Sequence, residues 1–345
     1  MTQEVLAIIW FVLIGVLFAG YAVFDGFDLG VGTLLPFLGK SEKDKDVMRS
    51  AVGPVWDGNE VWLLTGGGAL FAAFPAVYAT VFSGFYLALM LVLFALIFRA
   101  VSFEFHAHDK EWGAVWDWAF FGGSALPSLL FGVAVGNIVL GIPLDADGEF
   151  AGNFFTLLGF HNGFNPFQLI IGVLGLSMIL VQGSSWLAVK SEGDLYKRTV
   201  ALRSTLAWAF TALVVVATVS TALFARIAFA NVIGSPVGWV FIALLAVSLI
   251  WGRLSINGRK DLSAWYGISL SAVSLIGIWA ASIFPNIVPS LGPGSPLAVA
   301  TASSSQLTLT VMLIIAAIGV PLVLFYIFLV YRVFAGKVKL DGEGY

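Results

Sequence analysis

Two carboxylates and an amide interrupt an apolar stretch at Trp56-Asp57-Gly58-Asn59-Glu60, which continues Val61-Trp62-Leu63-Leu64. A second pair of acids lies in Asp25-Gly26-Phe27-Asp28-Leu29-Gly30-Val31-Gly32. Within each pair the acids are three residues apart, so on a helix they share a face. Ionisable side chains inside a membrane are costly and normally face a bundle interior, a partner or water, which makes them functional candidates by default. Closely spaced buried carboxyls can bind and release protons, with water bridging the gaps between them. The plainer alternative is structural: a carboxyl hydrogen-bonded to a neighbouring helix, or paired with a Lys or Arg of another subunit. Two pairs at one depth favour proton or cation handling.

The elements that must position these acids follow from composition. Of 345 residues, 59% are hydrophobic and 11% charged, against about 25% charged in soluble domains; mean hydropathy is +0.97. This is the signature of an all-α integral membrane protein. Nine runs approach the ~20 residues that a spanning helix needs: 5–36, 52–73, 77–98, 114–141, 166–189, 204–226, 234–252, 262–284 and 307–334. None alternates apolar and polar residues as a membrane β-strand would. The first run lacks a basic leader and is longer than a signal segment, so it is expected to remain as a permanent helix. A single polytopic membrane domain over 1–345 is expected, with no soluble domain and no clear internal repeat.

Basic residues orient the runs. Lys40, Lys43, Lys45 and Arg49 follow the first run, and Arg99 and Lys110 follow the third. Lys190, Lys197, Arg198 and Arg203 follow the fifth, Arg253, Arg259 and Lys260 the seventh, and Arg332, Lys337 and Lys339 end the ninth. Only Arg226 falls on the other side, so the positive-inside rule predicts a cytoplasmic C-terminus and an external N-terminus. On that reading Asp25 and Asp28 lie on the order of 12–16 Å from the cytoplasmic end, and Asp57 and Glu60 roughly 8–12 Å. The pairs overlap in depth on consecutive antiparallel helices. Glu104, with Arg99, is placed near the inner end of the third run, and Asp117 at the cytoplasmic boundary of the fourth; both are read as interfacial. Two outer connections, Pro143–Pro166 and Pro285–Ser305, read as irregular surface loops.

Other chemistries lack their residues. The chain has no Cys, which removes disulfides, thiolate metal sites and a Cys nucleophile. Its three His are His106, His108 and His161, none within an apolar run. A haem here would need Met90, Met178 or Met312 without a histidine partner. His106 and His108, two apart, point away from each other on a helix, so no metal site is expected. No Walker A, HExxH or GxSxG pattern occurs. Trp10, Trp112, Trp116, Trp118 and Trp186 are placed in the interfacial belt. Gly26-x-x-x-Gly30 and Gly132-x-x-x-Gly136 are read as helix-packing patterns. The net charge of −3 says little about partners, and no nucleic acid is expected.

With these residues in view, the chain resembles subunit II of the bacterial cytochrome bd-type quinol oxidases. The likeness rests on 25–32 and on Trp56-Asp57-Gly58-Asn59-Glu60-Val61-Trp62-Leu63. It continues through Gly67-Gly68-Ala69-Leu70-Phe71-Ala72-Ala73, Phe82-Ser83-Gly84-Phe85-Tyr86 and Trp116-Asp117-Trp118, to Gly152-Asn153-Phe154-Phe155 and Ser304-Ser305-Gln306-Leu307-Thr308-Leu309. It therefore covers the whole chain.

The resemblance implies nine helices, helix one plus two four-helix bundles, paired with a haem-bearing subunit I in the bacterial inner membrane. Quinol is oxidised and dioxygen reduced to water, with protons drawn from the cytoplasm and a contribution to a proton motive force. Haem b and haem d belong to the partner, and no catalytic residue or ligated cofactor is expected in this chain. The resemblance leaves room for a structural quinone here and a small accessory transmembrane subunit. It places Asp28 and Asp57 on a proton path, to which Asp25 and Glu60 are added by helical geometry, with support from Trp56, Asn59, Trp62, Glu104 and Asp117. Glu60 stands where relatives can carry a neutral Gln. The alternatives are a secondary transporter using the same acids, which their confinement to the first two runs disfavours, and a structural membrane scaffold.

Overall fold

In an apolar environment the backbone must satisfy its own hydrogen bonds, and long apolar runs do so as helices. The computed structural model describes residues 1–108, 111–160 and 163–339. Its helices are α1 (Gln3–Leu38), α2 (Glu42–Ser50), α3 (Trp56–Ala73), α4 (Pro75–Gly84), α5 (Tyr86–His108), α6 (Gly113–Leu140), α7 (Phe154–Leu157), α8 (Phe167–Lys190), α9 (Gly193–Phe224), α10 (Arg226–Gly234), α11 (Pro236–Asn257), α12 (Asp261–Ile283) and α13 (Gln306–Val333). One two-stranded antiparallel ribbon pairs β1 (Asn286–Val288) with β2 (Leu297–Ala298).

Eight of these helices are long and apolar enough to cross a membrane: α1, α5, α6, α8, α9, α11, α12 and α13. The expected run 52–73 becomes α3, 18 residues whose Asp57, Asn59 and Glu60 dilute its apolar character, and it is not among the eight. The expected run 77–98 is broken at Phe85 into α4 and α5, and α9 begins at Gly193, well before the expected 204. Pro75 and Pro236 each open a helix, where the missing N–H costs nothing.

Although no repeat is visible in the residues, a succession recurs: α3, short α4, α5, α6, then α9, short α10, α11, α12. Helix α1 packs on α3 and α6 much as α8 packs on α9 and α12, while α5 pairs with α6 and α11 with α12. At the start of each fourth helix an acid meets an arginine, Asp117 with Arg49 and Asp261 with Arg203. α1 and α8 cross closely, since a Cβ on Gly30 would meet the Ile179 carbonyl and Gly183. Gly132 likewise abuts Gly172, so both glycine patterns serve packing.

Three apolar layers stack along the bundle. One centres on Trp10, Phe74 and Ile142, a middle one on Leu29, Met178 and Phe210, and a third on Phe27, Met48 and Trp186. The basic segments gather at the end nearest the third layer: Arg198 pairs with Asp44 at 2.7 Å, and Lys337 donates to the Ser191 carbonyl at 2.8 Å. At the opposite end the two long connections do not stand apart as surface loops. Ile142 N–H donates to Pro289 O, and Gly294 N–H donates to Leu144 O, zipping one onto the other. Trp10 and Trp186 are buried rather than interfacial, because each indole N–H finds a carbonyl, Leu309 and Ala51 respectively. Trp112 and Trp118 are exposed, and Trp116 packs on Phe105. His161 and Lys110 lie outside the described residues, as does the side chain of His108.

Candidate functional site

Helices α1, α3 and α5 converge on a cation. Arg99 of α5 is 1% exposed; its Nη2 reaches Asp25 Oδ1 at 2.7 Å and Glu60 Oε1 at 2.5 Å. Asp25 is fully enclosed, whereas the Glu60 side chain keeps 25% of its surface exposed. Sequence reading assigned Arg99 to the connection after the third run, one residue past the end of 77–98. The structure corrects this: α5 continues to His108, and the guanidinium turns into the bundle because two carboxylates await it. Two flanking apolar residues on each side, Ile97-Phe98 and Ala100-Val101, were the available signal.

Asp28, one turn further along α1, has a different neighbour. Asn59 Nδ2 donates to Asp28 Oδ2 at 2.7 Å and to the Phe24 carbonyl at 3.3 Å, and the Tyr331 hydroxyl donates to Asn59 Oδ1 at 3.0 Å. Tyr331 went unnoticed in the sequence, since it sits 272 positions from Asn59 and only the fold brings α13 there. Asp25 Oδ2 and Asp28 Oδ1 are buried without a hydrogen-bond partner among the described residues. The cluster thus sets one guanidinium among three carboxyls, with two carboxyl oxygens still open to a proton or a bridging water.

The remaining candidates fall around this centre. Trp62 stacks on Phe24, whose carbonyl accepts from Asn59, with centroids 5.5 Å apart, and Trp56 lies on Phe103 of α5 at 5.3 Å. Asp57 does not join Glu60 in the interior; it is on an exposed face of α3, as Glu104 is on α5. Three residues is 300° of helix rotation, enough here to leave Glu60 half-turned inward and Asp57 outward. Asp117 belongs to a separate group at the basic end, where it accepts from Lys45 at 2.7 Å and from Arg49, with His106 Nε2 at 3.4 Å. Lys45, hydrogen-bonded by Asp117 and then Glu42, is held above the ordinary lysine range.

Among the described residues no three His, Cys, Asp or Glu side chains come together to hold a metal ion. His106 is turned to Asp117, with Nε2 3.4 Å from Oδ1.

The profile of the cytochrome bd terminal oxidase subunit II family matches residues 6–334. Cytochrome bd-I ubiquinol oxidase subunit 2 of Escherichia coli (strain K12) is 38% identical, the match covering 98% of this chain and 96% of that protein. Cytochrome bd ubiquinol oxidase subunit 2 of Bacillus subtilis (strain 168) is 34% identical over 96% of each. A chain of the bd oxidase structure from Geobacillus thermodenitrificans, 14% identical, superposes with a TM-score of 0.78 over 97% of this chain and 99% of its own, which shows a shared fold. The expected resemblance is thereby borne out: the chain belongs to the cytochrome bd terminal oxidase subunit II family.

Proposed function

We propose that this chain is the haem-free subunit of a quinol:dioxygen oxidoreductase and carries protons from the cytoplasm toward the partner's haem site. The observation behind this is the buried Arg99 cluster: Asp25 and Glu60 pair with a single cation inside a membrane bundle, and Asp28 lies one turn along α1 with the Asn59 amide beside it. One guanidinium cannot balance three carboxylates, so the cluster can take up and release protons as charge moves nearby. Asp57, on the exposed face of α3, is the entry. Asp25, Glu60 and Asp28 are the inner stations, reached through water at the open carboxyl oxygens.

In this reading α3 completes nine crossings, with the N-terminus outside and the C-terminus in the cytoplasm of a bacterium whose inner membrane holds the complex. Subunit I binds haem b and haem d, which supply the electron transfer and dioxygen reduction when bound; this chain stabilises that subunit and helps build a proton motive force. A structural quinone in this subunit and a small accessory transmembrane subunit complete the proposed assembly.

Two measurements test it. The chain expressed alone should show no Soret band, while its complex with subunit I absorbs strongly; a ligated haem on the isolated chain would sink the assignment. In the assembled complex, Asp57→Asn should lower quinol oxidase turnover about 100-fold or more, within the range of lost proton-transfer steps, with haem content intact. Unchanged turnover across pH removes Asp57 from the path, and loss of haem together with activity makes it an assembly residue.

A further inference from the structure

We propose that Tyr331 of α13 is a positioning residue for the proton exchanged at Asp28, because its hydroxyl locks the Asn59 amide with the NH2 group facing the carboxylate. This rests on the reading of Asp28 as a proton station.

Four contacts carry the inference. Asn59 Nδ2 lies 3.3 Å from the Phe24 carbonyl, which can only accept, so the NH2 end must point toward α1. The same NH2 donates to Asp28 Oδ2 at 2.7 Å. The amide oxygen is then left facing α13, where the Tyr331 hydroxyl donates to it at 3.0 Å. The Tyr331 ring is in turn fixed by aromatics of α1 and α8, with centroids 5.7 Å from Phe24, 6.4 Å from Phe27 and 5.9 Å from Trp186. Ring packing therefore delivers the hydroxyl to one place, and the hydroxyl selects one amide orientation.

An NH2 donor favours the ionised carboxylate, whereas a flipped amide would offer its oxygen to a protonated one. Orientation thus sets how readily Asp28 holds its proton. The charged and titratable groups about Asp28 are Asp25 on α1, with Tyr21 of the same helix beside it, Glu60 on α3, Arg99 on α5 and Tyr331 on α13. From α6, α8 and α12 the side chains packed on this part of α1 are neutral, among them Ser124, Gln182 and Trp265. Lys45 of α2 lies beside Gly39, just past the end of α1, and Arg198 of α9 donates to the Leu38 carbonyl there.

The test uses the assembled oxidase and infrared difference spectra as a function of pH, with the Asp28 carboxyl band identified by its loss in Asp28→Asn. Tyr331→Phe keeps the ring and its aromatic neighbours and removes only the hydroxyl. The expected result is an upward shift of about one pH unit in the midpoint of that band, as loss of a hydrogen bond to a charged group implies. The pH profile of turnover should move the same way. In an Asn59→Leu background, Tyr331→Phe should add no further shift, since its action passes through the amide. An unmoved band in Tyr331→Phe, or a shift of the same size in the Asn59→Leu background, overturns the inference. Unchanged turnover in Asp28→Asn removes Asp28 from the proton path, and the infrared midpoints then still decide what Tyr331 does to the carboxyl.

Discussion

Two polar seams among the described residues differ in charge: one is built on carboxyls and a guanidinium, the other on neutral side chains. On α1, α3 and α5 the groups are Asp25, Asp28, Glu60 and Arg99. On α8, α11 and α12 they are Gln182, which donates to Val23 O at 3.1 Å and to Ser269 Oγ at 2.8 Å, and the Ser248–Ser271 pair at 2.8 Å. In the recurring helix succession α8 and α11 stand where α1 and α5 do, while the neutral seam draws its third member from α12 and the charged one from α3. Both satisfy polar groups inside an apolar bundle, and the neutral one does so without any ionisable side chain. The carboxyls on the other side are therefore more than packing requires, and this contrast points to a use for them.

The contrast breaks first, and hardest, at Arg99. Arg99→Met leaves Asp25 and Glu60 enclosed without their cation, and removal of one partner from a buried pair costs about 3–5 kcal/mol. A large fall in the melting temperature of the complex, with loss of turnover, is expected; a complex of unchanged stability would mean that the carboxyls do not depend on the guanidinium. Gln182→Leu sharpens the comparison from the other side. It removes two neutral hydrogen bonds, each worth about 1 kcal/mol, so melting should fall modestly while turnover keeps its pH profile. A pH profile displaced in Gln182→Leu would make the neutral seam part of the same pathway, and the two regions would no longer differ in kind.

How much of this could be read from residues alone differs between the seams. Asp25, Asp28 and Glu60 were legible because an acid in an apolar run has few explanations. Arg99 was not, since a positive-inside reading assigns every cation to a connection; Arg203, enclosed on α9 against Asp261, escaped for the same reason. Helical spacing correctly joined Asp25 to the interior but overstated the likeness of Asp57 and Glu60, because a three-residue offset allows one side chain in and the other out. Nothing local marks Tyr331, whose role depends on α13 crossing Asn59. The nine runs anticipated the helical membrane fold, while the breaks at Phe85 and Ala225 and the zipped outer connections depend on tertiary packing.

The smallest expected effect comes from the basic end, where charges lie near water instead of inside the bundle. Lys45 joins α2 to α6 through Asp117 and to its own helix through Glu42. Its proton is held more tightly in the folded chain than in an unfolded one, chiefly by the hydrogen bond to Asp117. A group whose value is raised by folding contributes in full below its unfolded value, about 10.4 for lysine, and loses that contribution as pH rises through the folded value. Melting of the complex should thus be insensitive to Lys45 titration near neutrality and weaken above about pH 10.4, and Lys45→Met should flatten that alkaline limb. Partly solvated pairs of this kind are worth about 0.2–1 kcal/mol and are screened by salt. The limb should shrink further as ionic strength rises, whereas the Arg99 effect, shielded from solvent by the bundle, should not. Equal salt sensitivity of the two would mean that the Arg99 cluster is open to water, and the distinction between an enclosed seam and a solvated tether would fail.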